Sequence, residues 1–276
     1  MSNIGALAYK SPNDFWMAIK KLVQSTTENR NNSNPITTWN EYFKKLLNSK
    51  NEPHYGNWNN IPTEIDHAFS RNEIEQSLKE CKNKKAASSP IIFEMLKSCS
   101  NILAPYLQHL FNKVLESDTY PKLWSTTHIV PIFKAGAQSD PSNYRGIAIG
   151  NHISKLFAKC LNKRINFYVQ KNGILPDNSL GFRKGIRTED AIFAFTTLAT
   201  KYQKLGNRIY TIFVDFAKFY DTIDHEILLG KLYKVGITGR VFNVIKNMYT
   251  HVSYRMKLIS DGLSGINPSF RFQHWT

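Results

Sequence analysis

An apolar run that ends on a carboxylate constrains the fold of this chain more than any other stretch of its sequence. Residues 209–214 read Ile-Tyr-Thr-Ile-Phe-Val, mostly residue types that favour β-strands, and Asp215 follows directly. A buried carboxylate is costly unless a cation, a metal ion or a proton compensates it. The sequence therefore predicts a buried strand over 208–216, with Asp215 at its carboxyl end and compensated by a partner side chain, a metal ion or a proton.

Helical patterns surround this strand. Helices are predicted at 12–23, 39–47, 72–81, 102–117, 153–171, 188–204, 224–235 and 238–249. A second strand, HIVPIF, is predicted at 128–133. The predicted N-caps and core-facing residues of these helices include Asn72, Thr188, Ile192, Phe195 and Leu198. Helices that alternate with isolated strands favour an α+β fold over a helical bundle or a β-sandwich.

The distribution of charge along the chain indicates a negatively charged binding partner. The formal net charge is +15, of which residues 131–276 carry +12 and residues 1–130 carry +3. A surplus concentrated in one half favours contact with a polyanion, either nucleic acid or an anionic membrane surface, over a surface that is only solvated.

Apolar runs, the N-terminal sequence and the cysteines indicate the cellular compartment in which the protein is found. No apolar run approaches the ~18 residues that span a bilayer, and the N-terminus lacks the charged start and apolar core of a signal peptide. The three cysteines are too far apart in sequence to form metal-ligand pairs. We therefore expect an intracellular protein with free thiols, cytoplasmic or nuclear and not secreted, that does not act in a membrane.

Two basic clusters precede the strand that ends at Asp215. Residues 131–149 read PIFKAGAQSDPSNYRGIAI, which predicts a β-hairpin with Lys134 and Arg145 on its two arms, suited to holding phosphate from both sides. Residues 180–191 read LGFRKGIRTEDA, with glycines and basic residues just before a helix N-terminus, which suits a nucleic-acid backbone. Taken singly, each cluster is also typical of an ordinary hairpin or an ordinary helix start.

Taken together and in this order, the motifs resemble reverse transcriptases of non-LTR (LINE-type) retrotransposons. The segments that carry the resemblance are PIFKAGAQSDPSNYRGIAI, KLFAKCLNKRI, GFRKGIRTEDAI, FVDFAKFYDTIDH and KLYKVGI. The resemblance implies an α+β, partial right-hand polymerase. Residues 1–120 would form a helical N-terminal extension and the start of the fingers, and residues 121–276 the reverse transcriptase fingers and a partial palm.

The resemblance also implies roles for individual residues. Asp215 matches the palm carboxylate that binds two Mg²⁺ ions, Phe216 supplies its backbone carbonyl, and Tyr220 matches the aromatic residue that selects deoxynucleotides. The residues implied to contact the nucleotide or the template are Lys134, Arg145, Gly181, Phe182 and Arg183. The implied partners are an RNA template, a DNA primer and a deoxynucleoside triphosphate.

Two acidic residues after Asp215 stay open to two interpretations. Asp221 and Asp224 either belong to the site or cap the helix that follows, and capping explains them at least as well.

The sequence also departs from the family pattern, because it contains no Asp-Asp pair, where the family has its remaining metal ligands. We therefore expect the palm hairpin and the thumb to be missing and the chain to be an inactive, truncated copy. The alternatives are a non-catalytic, basic nucleic-acid-binding protein and the translation of a decaying reading frame with no function.

Overall fold

The computed structural model of the chain describes residues 35–47, 58–183, 185–250, 252–256 and 272–273. The helices of these ranges are α1 (Ile36–Leu47), α2 (Arg71–Lys79), α3 (Phe93–Ser98), α4 (Ser100–Glu116), α5 (Lys122–Ser125), α6 (His152–Lys171), α7 (Thr188–Lys204), α8 (His225–Lys234) and α9 (Arg240–Thr250). The strands are β1 (Thr126–Phe133), β2 (Tyr144–Ile149), β3 (Ser253–Met256) and β4 (Phe272–Gln273). The predicted α+β class is confirmed, while the helix predicted at 12–23 lies outside the described residues.

The four strands form one mixed sheet in the order β2-β1-β3-β4. β1 and β2 pair antiparallel, with Ile132 opposite Arg145. β3 runs parallel to β1, and β4 pairs antiparallel with β3. The hairpin predicted at 131–149 is therefore present, and it forms one side of the sheet.

Helix α1 covers one face of this hairpin. The ring of Trp39 meets the ring of Tyr144 edge-on at 4.6 Å between centroids. Phe43 lies so close to Gly146 that a Cβ atom there would stand 2.5 Å from Cε1 of Phe43. Glycine at this position therefore lets the helix approach the backbone of β2, which no larger residue allows without repacking.

The main core lies among α2, α4, α6 and α9. Aromatic rings at its centre contact one another edge-on or tilted, including Phe69, Phe111, Trp124 and Phe157. Contacts of this kind stabilise a core beyond the burial of the ring area. None of the helices in the described ranges combines the length and the apolar composition that crossing a lipid bilayer requires.

A buried arginine ties α6 to the segment before α2. The Arg164 side chain is 4% exposed and its guanidinium donates to both carboxylate oxygens of Glu73, at 2.9 and 3.1 Å. It also donates to the backbone carbonyls of Ile65, His67 and Ala68. All five N–H groups of the guanidinium are thus used, as burial of a permanent cation requires.

Two predicted N-caps are wrong by one or two residues. Helix α2 is capped by Ser70, whose Oγ accepts from the Glu73 amide while the Glu73 carboxylate accepts from the Ser70 amide, so Asn72 lies inside the helix. Helix α7 begins at Thr188 itself, with Arg187 in the cap position and Asp190 accepting from its amide. In both cases an acidic side chain three positions after the cap accepts from the cap amide, and in α2 the cap side chain also accepts in return.

The prediction of a buried strand over 208–216 is wrong. Residues 207–216 belong to no described helix or strand, and their side chains are exposed, with Ile212 at 88% and Phe213 at 83%. No side chain of α7 is buried in the described structure either, so the core-facing roles predicted for Ile192, Phe195 and Leu198 are wrong. We name α7 and residues 205–216 together the apolar arm.

The physical reason is that a strand needs a neighbour to accept its backbone hydrogen bonds. None of the described strands pairs with 208–216. Within the apolar arm, one described ring contact joins α7 to residues 205–216. It is between Phe195 and Phe213, whose ring centroids lie 5.9 Å apart.

Candidate functional site

The hairpin places two cations on one face. Residues directly opposed in an antiparallel pair point to the same side, so Arg145 shares its face with Ile132. Lys134 follows Ile132 by two residues, and its amide donates to the carbonyl of Asn143 at 2.9 Å, so the pairing continues to that position. The Lys134 side chain therefore returns to the face of Arg145. Both side chains are exposed, so the hairpin presents two cations to solvent on one face.

Asp215 and its neighbours lie in an exposed segment that runs into a tight turn. Asp215 is exposed, and the rings of Phe216 and Tyr220 are 69% and 71% exposed. Lys218 has a positive φ of 50°, a conformation uncommon for residues other than glycine. The amide of Asp221 closes the turn by donating to the carbonyl of Lys218 at 2.9 Å.

The structure separates the roles of the two later carboxylates. Asp224 Oδ1 accepts from the amides of Glu226 and Ile227, at 2.9 and 3.0 Å, so Asp224 caps α8. Asp221 is half-buried instead. Burial raises the pKa of Asp221 above its ordinary value, and the nearby charges of Lys218 and Arg145 oppose that rise.

The effect of the Arg145 charge on the pKa of Asp221 connects one of the basic clusters to the turn after Asp215.

The segment that contains Gly181, Phe182 and Arg183 forms its own small site. The Arg183 guanidinium donates to the carbonyls of Leu175 and Pro176, both at 2.7 Å, and so closes the loop after α6. Phe182 has a φ of 62° and is 85% exposed. A cavity of about 390 Å³ lies beside this loop. Arg183 thus shapes the loop, while the ring of Phe182 is free to meet a ligand.

A larger cleft of about 600 Å³ lies between the sheet and helices α6, α8 and α9. Its lining is mainly apolar and aromatic, with Lys155 as a cation at one side. Burial lowers the pKa of Lys155, whose Nζ donates to the carbonyl of Ala86 at 3.1 Å. None of the predicted site residues lines this cleft, so its position does not support the assigned roles.

The described residues do not by themselves fit a two-metal centre. Two Mg²⁺ ions need several oxygen ligands held close together. Within the ranges that the structure describes, no group of three or more His, Cys, Asp or Glu side chains could hold a metal ion. Asp215 and the carbonyl of Phe216 therefore supply too few of the required oxygens.

Sequence reasoning missed two residues that bear on this site. The Nζ atom of Lys218 lies 4.6 Å from the ring centroid of Tyr42 on α1. Tyr42 is about 175 positions away in sequence, and its helical pattern predicts only an amphipathic helix. A positive φ at Lys218 has no signal in residue type either, so neither residue could have been found without the fold.

Comparison with known proteins identifies the class of this protein. The family model described as reverse transcriptase (RNA-dependent DNA polymerase) matches residues 132–271, just over half of the chain. The match begins in the hairpin strand β1 and includes Arg145, Asp215 and Tyr220. The chain belongs to the reverse transcriptase family.

The relatives identify the branch of that family. The chain is 28% identical to the probable RNA-directed DNA polymerase from transposon BS of Drosophila melanogaster over 167 residues, which are 59% of this chain and 18% of the relative. It is 24% identical to that from transposon X-element of the same species, over 65% of this chain and 20% of the relative. It is 23% identical to the RNA-directed DNA polymerase from mobile element jockey of Drosophila melanogaster, over 59% of this chain and 18% of the relative.

The predicted resemblance to non-LTR (LINE-type) reverse transcriptases is therefore confirmed. The chain spans about a fifth of the length of these relatives. Family membership favours a polymerase over the alternative of a non-catalytic binding protein.

Proposed function

We propose that this chain supplies the fingers and the first part of the palm of an RNA-directed DNA polymerase. Residues 121–276 form the polymerase portion, and residues 1–120 form a helical N-terminal extension and the start of the fingers. One observation carries the proposal: Lys134 and Arg145 share one face of a hairpin inside the segment that matches the family. The partners are an RNA template, a DNA primer and a deoxynucleoside triphosphate.

The hairpin cations bind the phosphates of the incoming nucleotide. Arg145 offers a planar fork of donors that suits two phosphate oxygens at once, and Lys134 offers a compact point charge from the other arm. Their exposure supports this role, because neither cation has to leave a buried ion pair before it binds an anion.

Two aromatic residues contact the nucleotide or the template. Tyr220 stands beside the turn that follows Asp215 and selects against a 2′-hydroxyl by its bulk. Phe182 presents an exposed ring on which a base can stack, an interaction that tolerates any base. Gly181 leaves the space beside it open, since a Cβ atom there would meet nothing within 4 Å, and Arg183 holds the loop that carries both.

With further oxygen ligands, the Asp215 carboxylate and the backbone carbonyl of Phe216 would hold divalent metal, which would supply charge stabilisation for phosphoryl transfer. The described residues do not complete that ligand set, so we propose that this chain alone does not extend a primer.

Filter binding to an RNA template annealed to a DNA primer tests the nucleic-acid part of the proposal. Log affinity should fall linearly with log salt, with a slope of about −0.7 for each phosphate contact on a single strand. Arg183→Ala should weaken binding of all sequences alike, because a changed loop alters backbone contacts and not base readout. Flat salt dependence, or no binding at low salt, contradicts the proposal.

A second experiment tests phosphate binding by the two hairpin cations, Lys134 and Arg145. Lys134→Gln and Arg145→Gln should each weaken binding of inorganic tripolyphosphate, measured by isothermal titration calorimetry. Lys122→Gln removes the same charge from an exposed position on α5 and should leave the affinity unchanged. Equal losses in all three variants would show only the general effect of net charge.

Primer extension tests the catalytic part. The assay contains the purified chain, the primer–template, deoxynucleoside triphosphates and Mg²⁺ or Mn²⁺, with Asp215→Asn in parallel. We expect no extension from either protein. Extension that disappears in Asp215→Asn refutes the proposed inactivity and establishes the catalytic role of Asp215.

A further inference from the structure

Helix α1 touches both halves of the proposed site. Phe43 packs against Gly146, the residue next to Arg145 on β2. The neighbouring residue, Tyr42, holds the ammonium group of Lys218 at 4.6 Å from its ring centroid. One turn of a single helix therefore contacts the strand of the phosphate-binding arginine and the turn that follows Asp215.

The contact with Lys218 restrains the whole turn. The carbonyl of Lys218 accepts from the amide of Asp221 at 2.9 Å and from Oγ1 of Thr222 at 3.3 Å. An ammonium group within about 6 Å of an aromatic ring is attracted to its face. Because these bonds join the backbone of Lys218 to Asp221 and Thr222, a restraint on Lys218 also restrains the backbone that carries Asp221.

Asp221 in turn lies among the charged and polar groups of the site. It is half-buried, Lys218 and Arg145 are the cations near it, and its charge is felt by Tyr254 on β3. The Arg145 charge acts on Asp221 through space, so the position of the 218–221 turn sets how strongly the carboxylate and the guanidinium attract each other.

We propose that Tyr42 is a positioning residue for the site: through Lys218 it holds the 218–221 turn, and with it Asp221, beside Arg145. The inference rests on the proposed function in one respect only, which is that Arg145 binds a phosphate. The contact itself involves no nucleotide, so it can be tested when binding fails.

Distance measurement between two spin labels is the direct test. The labels are placed at the exposed positions Gln138, in the hairpin loop, and Ala217, beside the turn, in the full chain with Cys99→Ser to remove the exposed native thiol. The wild-type protein and Tyr42→Phe should give the same narrow distance distribution, because the ring face is retained. Tyr42→Ala should broaden it.

Lys218→Met is the second variant. It keeps a Cβ atom and most of the aliphatic side chain, so the backbone of the turn gains no glycine freedom, and it removes the ammonium group. It should broaden the distribution as Tyr42→Ala does, without disturbing α1. Unchanged distributions in both variants overturn the proposal.

Titration of the Asp221 carboxyl by nuclear magnetic resonance tests the contact with Arg145. The pKa of Asp221 should rise further in Arg145→Gln, because an opposing cation is lost, and should not move in Lys134→Gln, which removes the same charge from the other arm. It should fall in Tyr42→Ala, because the freed turn becomes solvated, and stay at the wild-type value in Tyr42→Phe. A pKa that is the same in wild type, Arg145→Gln and Tyr42→Ala overturns the proposal.

Neither measurement contains nucleic acid or nucleotide. If both succeed while tripolyphosphate binding is absent, the positioning role stands and the proposed function fails. If tripolyphosphate binds and the label distances are unchanged in Tyr42→Ala, the proposed function stands and the positioning role fails.

Discussion

Replacing Arg164 should strongly destabilise the fold. Arg164→Met keeps most of the side-chain volume and removes all five donors, leaving the Glu73 carboxylate and the carbonyls of Ile65, His67 and Ala68 without their partner. Removing one member of a buried ion pair costs about 3–5 kcal/mol. Because the Glu73 side chain is 33% exposed and can be partly hydrated, we expect about 3 kcal/mol.

The assay is urea unfolding followed by circular dichroism, with thermal unfolding in parallel. A loss of about 3 kcal/mol should lower the melting temperature by roughly 6–12 °C in a chain of this size. Arg164→Lys keeps the charge but loses the planar fork, so it should fall between the wild type and Arg164→Met.

Lys163→Met is the matched control. Lys163 is the preceding residue of the same helix, and its ion pair with Glu80 is exposed, with side chains 36% and 55% accessible. Exposed pairs contribute only about 0–1 kcal/mol. The reasoning is refuted if Arg164→Met and Lys163→Met cost the same, or if Arg164→Met costs less than about 1 kcal/mol.

Three further predictions concern stability. Burial raises the pKa of Glu73, but hydrogen bonds with Arg164 and Ser70 and the charge of Arg164 outweigh it, and the pKa lies below its ordinary 4.5. The charged Glu73 therefore stabilises the fold above that pH, and this stabilisation is lost as pH falls through the lower folded value. Urea unfolding of the wild type and Glu73→Gln across pH should give curves that converge in acid, and parallel curves contradict this. Gly146→Ala should cost about 1–3 kcal/mol in thermal unfolding because of Phe43, whereas Gly181→Ala should cost far less; equal losses contradict the packing argument. Asp66→Ala removes the carboxylate that accepts from the first turn of α9 and should cost about 1–2 kcal/mol, with faster amide exchange in that turn; unchanged exchange contradicts it.

Local features of the sequence predicted the hairpin well. The strand residues, the polar loop and the basic residue on each arm lie within 131–149, so all the interactions that form the hairpin are between near neighbours. The same holds for the helices that bury one face, and for Asp224, whose capping bonds reach only two and three residues ahead.

Contacts between distant residues could not be predicted in this way. The residue types in 208–216 favour a strand, but a strand forms only when a partner accepts its hydrogen bonds, and residue type does not reveal whether that partner is present. The approach of Phe43 to Gly146 and the contact of Tyr42 with Lys218 likewise depend on the fold. Half of the candidate site, the hairpin cations, was therefore predictable, and the link to the Asp215 segment was not.

The apolar arm has a practical consequence for anyone who purifies this chain. Its exposed rings and branched side chains can meet those of another molecule, and a net charge of +15 is what keeps molecules apart at low ionic strength. At about 0.15 M salt the Debye length falls to about 8 Å, and that repulsion weakens. Added salt therefore weakens the phosphate contacts and also favours aggregation of the chain. A loss of binding at high salt can be assigned to phosphate contacts only when light scattering shows that the same sample has not aggregated.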